Sequence, residues 1–108
     1  MKILKLKLEY NLPKGNSELP EVLTCDYLIS SINMKYKDGL EGQLRRVFGR
    51  IQRKCDEAID KKYDVLELED SEFDLIQDCF EDAKFPPILS KYINILEDEI
   101  ERSAKENK

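Results

Sequence analysis

The 108 residues are 41% hydrophobic and 38% charged, enough apolar content for one core of two or three layers and too much for a disordered chain. The net charge of −5 repels nucleic acid and anionic lipid unless a local patch overrides it. The lack of histidine excludes Ser-His and Cys-His nucleophile pairs, an imidazole base and any His-containing zinc site.

The first expected element is a strand over Lys2–Tyr10. Leu4, Leu6, Leu8 and Tyr10 alternate with Lys5, Lys7 and Glu9, the period of two of a sheet with one wet face, and Ile3 falls on the polar side. The lysines either form a basic edge for an anionic partner or protect an edge strand from aggregation. Asn11 to Glu21 holds Pro13, Gly15, Asn16, Ser17 and Pro20 and reads as a loop. Thr24 is placed to cap a helix from Cys25 to about Lys35, with Asp26 in its first turn and Leu28 and Ile32 on its apolar side. Lys37-Asp38-Gly39 turns the chain.

Leu40 to Lys62 predicts a long central amphipathic helix. Leu40, Leu44, Val47, Phe48, Ile51, Cys55 and Ile59 form one stripe at 3.6 residues per turn. Gly42 and Gly49 interrupt it, Gly49 either to admit another backbone or as a tolerated cost. Arg45, Arg46, Arg50, Arg53 and Lys54 crowd a window without a single acid. They form a ridge for phosphates or an acidic protein, or pair with the chain's own carboxylates.

Tyr63–Glu69 is expected to be the second strand, with Leu66 and Leu68 alternating against Val65, Glu67 and Glu69. Asp70-Ser71 opens a helix, with Asp74 three residues after Ser71 as in a capping box. Phe73, Ile76 and Phe80 form its apolar side, with Leu75 and Cys79 beside them. Pro86-Pro87 ends it and Pro87 starts a last helix, whose stripe is Ile88, Leu89, Tyr92, Ile93, Leu96 and Ile100. The expected domain is residues 1–102, and 103–108 are expected to fray. The fold class is therefore α+β: a small two-stranded sheet packed by about four helices, with the long amphipathic helix at the centre.

Charge divides the chain. Residues 1–63 balance at +4 and residues 64–108 at −9. The acidic half can neutralise the arginine helix, meet another copy's basic face, solvate the surface, or present a nucleic-acid-like surface to a basic partner. Asp64, Glu67, Glu69, Asp70, Glu72 and Asp74 are dense but lack the glycine turn of a calcium loop. Asp78, Glu81 and Asp82 share a helix face where a hard cation could sit, yet the spacing is unspecific, so no metal or cofactor is expected. Cys25, Cys55 and Cys79 are odd in number, far apart and on apolar stripes, which fits a reducing cytoplasm and buried thiols. No apolar run approaches the roughly 20 residues that span a bilayer, so no membrane role is expected.

The run Val65-Leu66-Glu67-Leu68, then Asp70-Ser71-Glu72, Ile76 and the Phe85-Pro86-Pro87 break before a final helix, resembles small uncharacterised accessory proteins of tailed bacteriophages. The resemblance covers about residues 24 to 100 and implies a phage or mobile-element setting without a particular chemistry. The expected function is non-enzymatic: binding a protein partner, in that setting a host or defence protein to be inhibited, through Glu67, Glu69, Asp74, Asp78, Glu81 and Asp82. The alternatives are nucleic-acid binding through Arg45, Arg46, Arg50, Arg53 and Lys54, and self-assembly as a homo-oligomer.

Overall fold

The computed structural model describes residues 1–13, 15 and 18–106. Strand β1 (Lys2–Lys5) pairs antiparallel with β2 (Val65–Leu68), and Leu4 stands opposite Leu66. Four helices complete the fold: α1 (Pro20–Lys35), α2 (Gly42–Lys61), α3 (Asp70–Asp82) and α4 (Ser90–Lys105), the last entered through a 3-10 turn at Pro87–Leu89. This is the α+β architecture the alternating and helical patterns predict, with α2 as the longest element.

The strand pattern carries further than the strand. Hydrogen-bonded pairing stops at Lys5 apart from one further bond, from Leu6 N–H to Asp64 C=O at 2.9 Å. Leu4, Leu6 and Tyr10 are buried and Leu8 half-buried, so the alternation over Lys2–Tyr10 marks a core face while the ladder proper is four residues long.

Helix α1 begins five residues before the expected Cys25. Its N-cap position is Leu19, and Pro20 in the first turn needs no N–H there. Thr24 is no cap but a buried link. Its hydroxyl donates to Leu6 C=O at 2.8 Å, so its one proton is spent and Tyr10 Oη must donate to Thr24 Oγ1 at 2.6 Å. This relay ties the segment after β1 onto α1. The loop expected over 11–21 falls in part on Lys14, Asn16 and Ser17, outside the described residues. At the other end of α1, Gly39 takes φ +111°, and its N–H bonds to Tyr36 C=O as the chain turns into α2.

Val47, Ile51, Cys55 and Ala58 bury α2's inner face, with Leu40, Phe48 and Ile59 half-buried around them. Leu44 is exposed, because only four residues of a wider apolar stripe reach full burial. A Cβ on Gly49 would meet nothing within 4 Å, so no backbone among the described residues uses the space.

Helix α3 buries Phe73, Leu75, Ile76, Cys79 and Phe80, as its pattern predicts. Its capping box is Glu69 with Glu72, not Ser71 with Asp74, since the helix starts at Asp70 and puts Glu72 at the third helical position. The Pro86-Pro87 break occurs as read, but Ile88 lies in the 3-10 turn, off the α-helical register, and is 82% exposed. Tyr92, Leu96 and Ile100 bury α4. The fraying expected from residue 103 is corrected: α4 runs to Lys105 and Ser103 is 1% exposed. Asn107 and Lys108 lie outside the described residues.

Candidate interaction surface

The two ionic faces read from the sequence meet at one buried carboxylate that neither reading singled out. Glu72 has a fully buried side chain at the start of α3. Arg50 Nε donates to it at 3.0 Å, Lys54 Nζ at 2.5 Å and the Glu69 N–H at 2.9 Å. Arg50 and Lys54 stand one helical turn apart on α2, so both reach the same point. Burial pushes the Glu72 carboxyl up, but the bonds from Lys54, Glu69 N–H and Arg50 together outweigh it and hold the group below its usual range. Lys54 also donates to Glu67 C=O at 2.9 Å, which ties α2 to β2.

Two of the five cations are thus internal. Arg45, Arg46 and Arg53 are exposed and form no ion pair among the described residues. Arg45 and Arg46 also sit near the positive end of the α2 dipole, whose first turn holds no acid, an arrangement that costs a few tenths of a kcal/mol per charge.

The acidic face is divided in the same way. Asp78 and Asp82, one turn apart on α3, clamp Lys35 of α1 at 2.9 and 3.0 Å. The hydrogen bonds from these two carboxylates raise the Lys35 pKa above its ordinary value. Glu69 is occupied with capping. Glu67, Asp74 and Glu81 are exposed and, among the described residues, carry no neutralising cation.

A second buried carboxylate, also missed, sits on α4. Glu99 accepts the Lys5 N–H at 2.7 Å and is gripped by Arg102 at 2.8 and 2.6 Å. Burial pushes its carboxyl up, and the bonds from Arg102 and Lys5 bring it below its usual range. Ser103 Oγ donates to Ile3 C=O at 2.8 Å, with Arg102 Nη2 at 3.3 Å. The signal for both acids was positional: each lies on the buried side of its helix, among residues the apolar pattern places inside.

Cys25, Cys55 and Cys79 are buried free thiols. A hydrogen bond with Cys25, followed by burial, raises the Cys55 pKa, and burial pushes that of Cys79 up to about 11. No buried side-chain polar atom lacks a hydrogen-bond partner among the described residues. No group of three or more potential metal ligands occurs there, and no helix is long and apolar enough to cross a membrane.

Comparison with protein-family models, with curated proteins and with solved structures found no match.

Proposed function

We propose that the protein is a non-enzymatic binding protein whose acidic β2–α3 unit engages a basic patch on another protein. The observation that supports this reading is how the charges are spent. One buried carboxylate, Glu72, takes up Arg50 and Lys54, so the acidic exterior is not consumed in neutralising the arginine helix. Among the described residues, Glu67, Asp74 and Glu81 remain uncompensated at the surface. A like-signed set of exposed carboxylates on rigid elements steers a basic partner and fixes its orientation. In the phage setting that the resemblance implies, the partner is a host protein.

The test is the triple variant Glu67→Lys, Asp74→Lys, Glu81→Lys beside the wild-type protein in affinity capture from host extract, with and without nuclease. The wild type should retain a nuclease-insensitive protein that the folded triple variant does not. Equal retention by both would refute the acidic surface.

A second reading rests on Arg45, Arg46 and Arg53, which form no ion pair among the described residues, the first two of them near the positive end of the α2 dipole. They offer an anion site, and DNA or RNA binding there would fall steeply with salt. A low-salt gel shift with no retention would dispose of it.

A further inference from the structure

The two edges of the sheet are finished differently. In an antiparallel pair every second residue turns its N–H and C=O away from the neighbouring strand. Leu4 pairs with Leu66, and Leu6 N–H bonds to Asp64 C=O, so the even positions of both strands bond inward. Ile3 and Lys5 therefore face out on one edge, Val65 and Glu67 on the other. The β1 edge is sealed by α4: Glu99 takes the Lys5 N–H, and Ser103 and Arg102 supply Ile3 C=O. On the β2 edge Lys54 satisfies Glu67 C=O. Among the described residues nothing bonds to the N–H of Glu67 or to the N–H and C=O of Val65.

An open groove of about 560 Å³ is lined by Val65, Leu66 and Glu67 of that strand, with Met1 before β1 and Glu57 and Asp64 beside them. Glu67 there carries no cation among the described residues, while Asp64 and Glu57 hold Lys7 and Lys61 in exposed pairs that a competing cation can displace at little cost. Lys54, the lysine of the groove wall, is committed to Glu72. Unpaired strand edges recruit a further strand through main-chain hydrogen bonds, with side chains setting specificity.

We infer that the β2 edge takes an extended peptide segment with Lys or Arg at alternate positions, which adds as a third strand beside Val65 and Glu67. The inference rests on the acidic-surface reading and names the form of the partner. A second copy of β2 fits less well, because it would bring its own Asp64, Glu67 and Glu69 to an edge that already carries these acids.

The probe is a capped heptapeptide alternating Lys and Val, added to ¹⁵N-labelled protein, with amide hydrogen exchange as the readout. The Val65 and Glu67 amides should exchange fast in the free protein and slow by roughly tenfold or more with peptide, as amides newly held in a ladder do. Leu66 and Leu68 should be protected throughout. A Glu-Val peptide should give no protection, and Val65→Pro, which removes an outward N–H and spares the bonds to β1, should abolish it while Leu66 and Leu68 stay protected. If Val65→Pro does not fold, Glu67→Gln with the same readout should reduce the protection. Binding without protection of Val65 and Glu67, equal protection by the Glu-Val peptide, or protection in the free protein that grows with protein concentration would each overturn the inference. Loss of captured partner in the lysine triple variant together with an unprotected edge would leave the acidic surface standing and remove only the strand addition.

Discussion

The carboxylate of Glu99 accepts the backbone N–H of Lys5 at 2.7 Å across a separation of 94 residues. It fills the place a third strand's carbonyl would take. Glu99→Ala leaves that N–H without a partner and frees Arg102, and should lower stability by about 1–3 kcal/mol. Urea denaturation measures the loss, and the Lys5 amide should exchange faster in the variant. An unchanged midpoint would mean that water replaces the carboxylate.

The Glu72 cluster should respond unequally to removal of its two sides. Glu72→Gln leaves Arg50 and Lys54, both partly exposed, able to turn to water, at a cost of about 1–3 kcal/mol. The double variant Arg50→Met, Lys54→Met strands a buried carboxylate and should cost more, about 3–5 kcal/mol. Equal losses in urea melts would contradict that order. Since the Glu72 and Glu99 carboxyls lie below their ordinary range when folded, their contribution is present above the unfolded value, roughly pH 4.3, and is lost as pH falls through the folded values. Glu72→Gln should flatten the acid limb of a stability–pH curve.

The Tyr10–Thr24–Leu6 relay predicts another unequal pair. Thr24→Val strands both the Tyr10 hydroxyl and the Leu6 carbonyl and should cost about 1–3 kcal/mol; Tyr10→Phe removes one donor and should cost about 0.5–1.5 kcal/mol. Burial pushes the Tyr10 pKa up to about 12, so one of the five tyrosines should ionise last in an ultraviolet titration. Because the unfolded tyrosine ionises near pH 10, Tyr10 contributes stability below that value and loses it as pH rises toward the folded one.

Gly49 tests the outer face of α2. With open space where its Cβ would be, Gly49→Ala should raise stability by about 1 kcal/mol through helix propensity alone. A melt showing destabilisation would mean that the monomer packs there after all.

Periodicity carried the buried faces: the spacing of Leu4 to Tyr10, of Val47 to Cys55 and of Phe73 to Phe80 marked the sides turned to the core, though only Lys2–Lys5 of the expected Lys2–Tyr10 strand forms a ladder. It did not carry the caps. Thr24 and Ser71 have the chemistry of a cap, but Pro20 and Glu69 set the helix starts earlier, and a local rule cannot weigh two candidates that tertiary packing decides between. Nor could it see Glu72 and Glu99. A carboxylate on the inner face of a helix looks like an interruption of the apolar pattern until its cations and amides arrive from other elements. The arginine window was legible as a cluster. Its division into Arg50 and Lys54 within, and Arg45, Arg46 and Arg53 without, depends on where one buried acid stands.

The dependence of β1 on α4 also sets an order of events during synthesis. The strand leaves the ribosome first, yet Ile3 and Lys5 meet Glu99, Arg102 and Ser103 only after nearly a hundred more residues are made, on the order of 5–20 s at typical elongation rates. Until β2 is made both sides of the nascent strand are open to other chains, and the side that α4 covers stays open through the whole interval. Lys2, Lys5 and Lys7 place like charge along that open strand, which disfavours its pairing with other chains until the last helix closes over it.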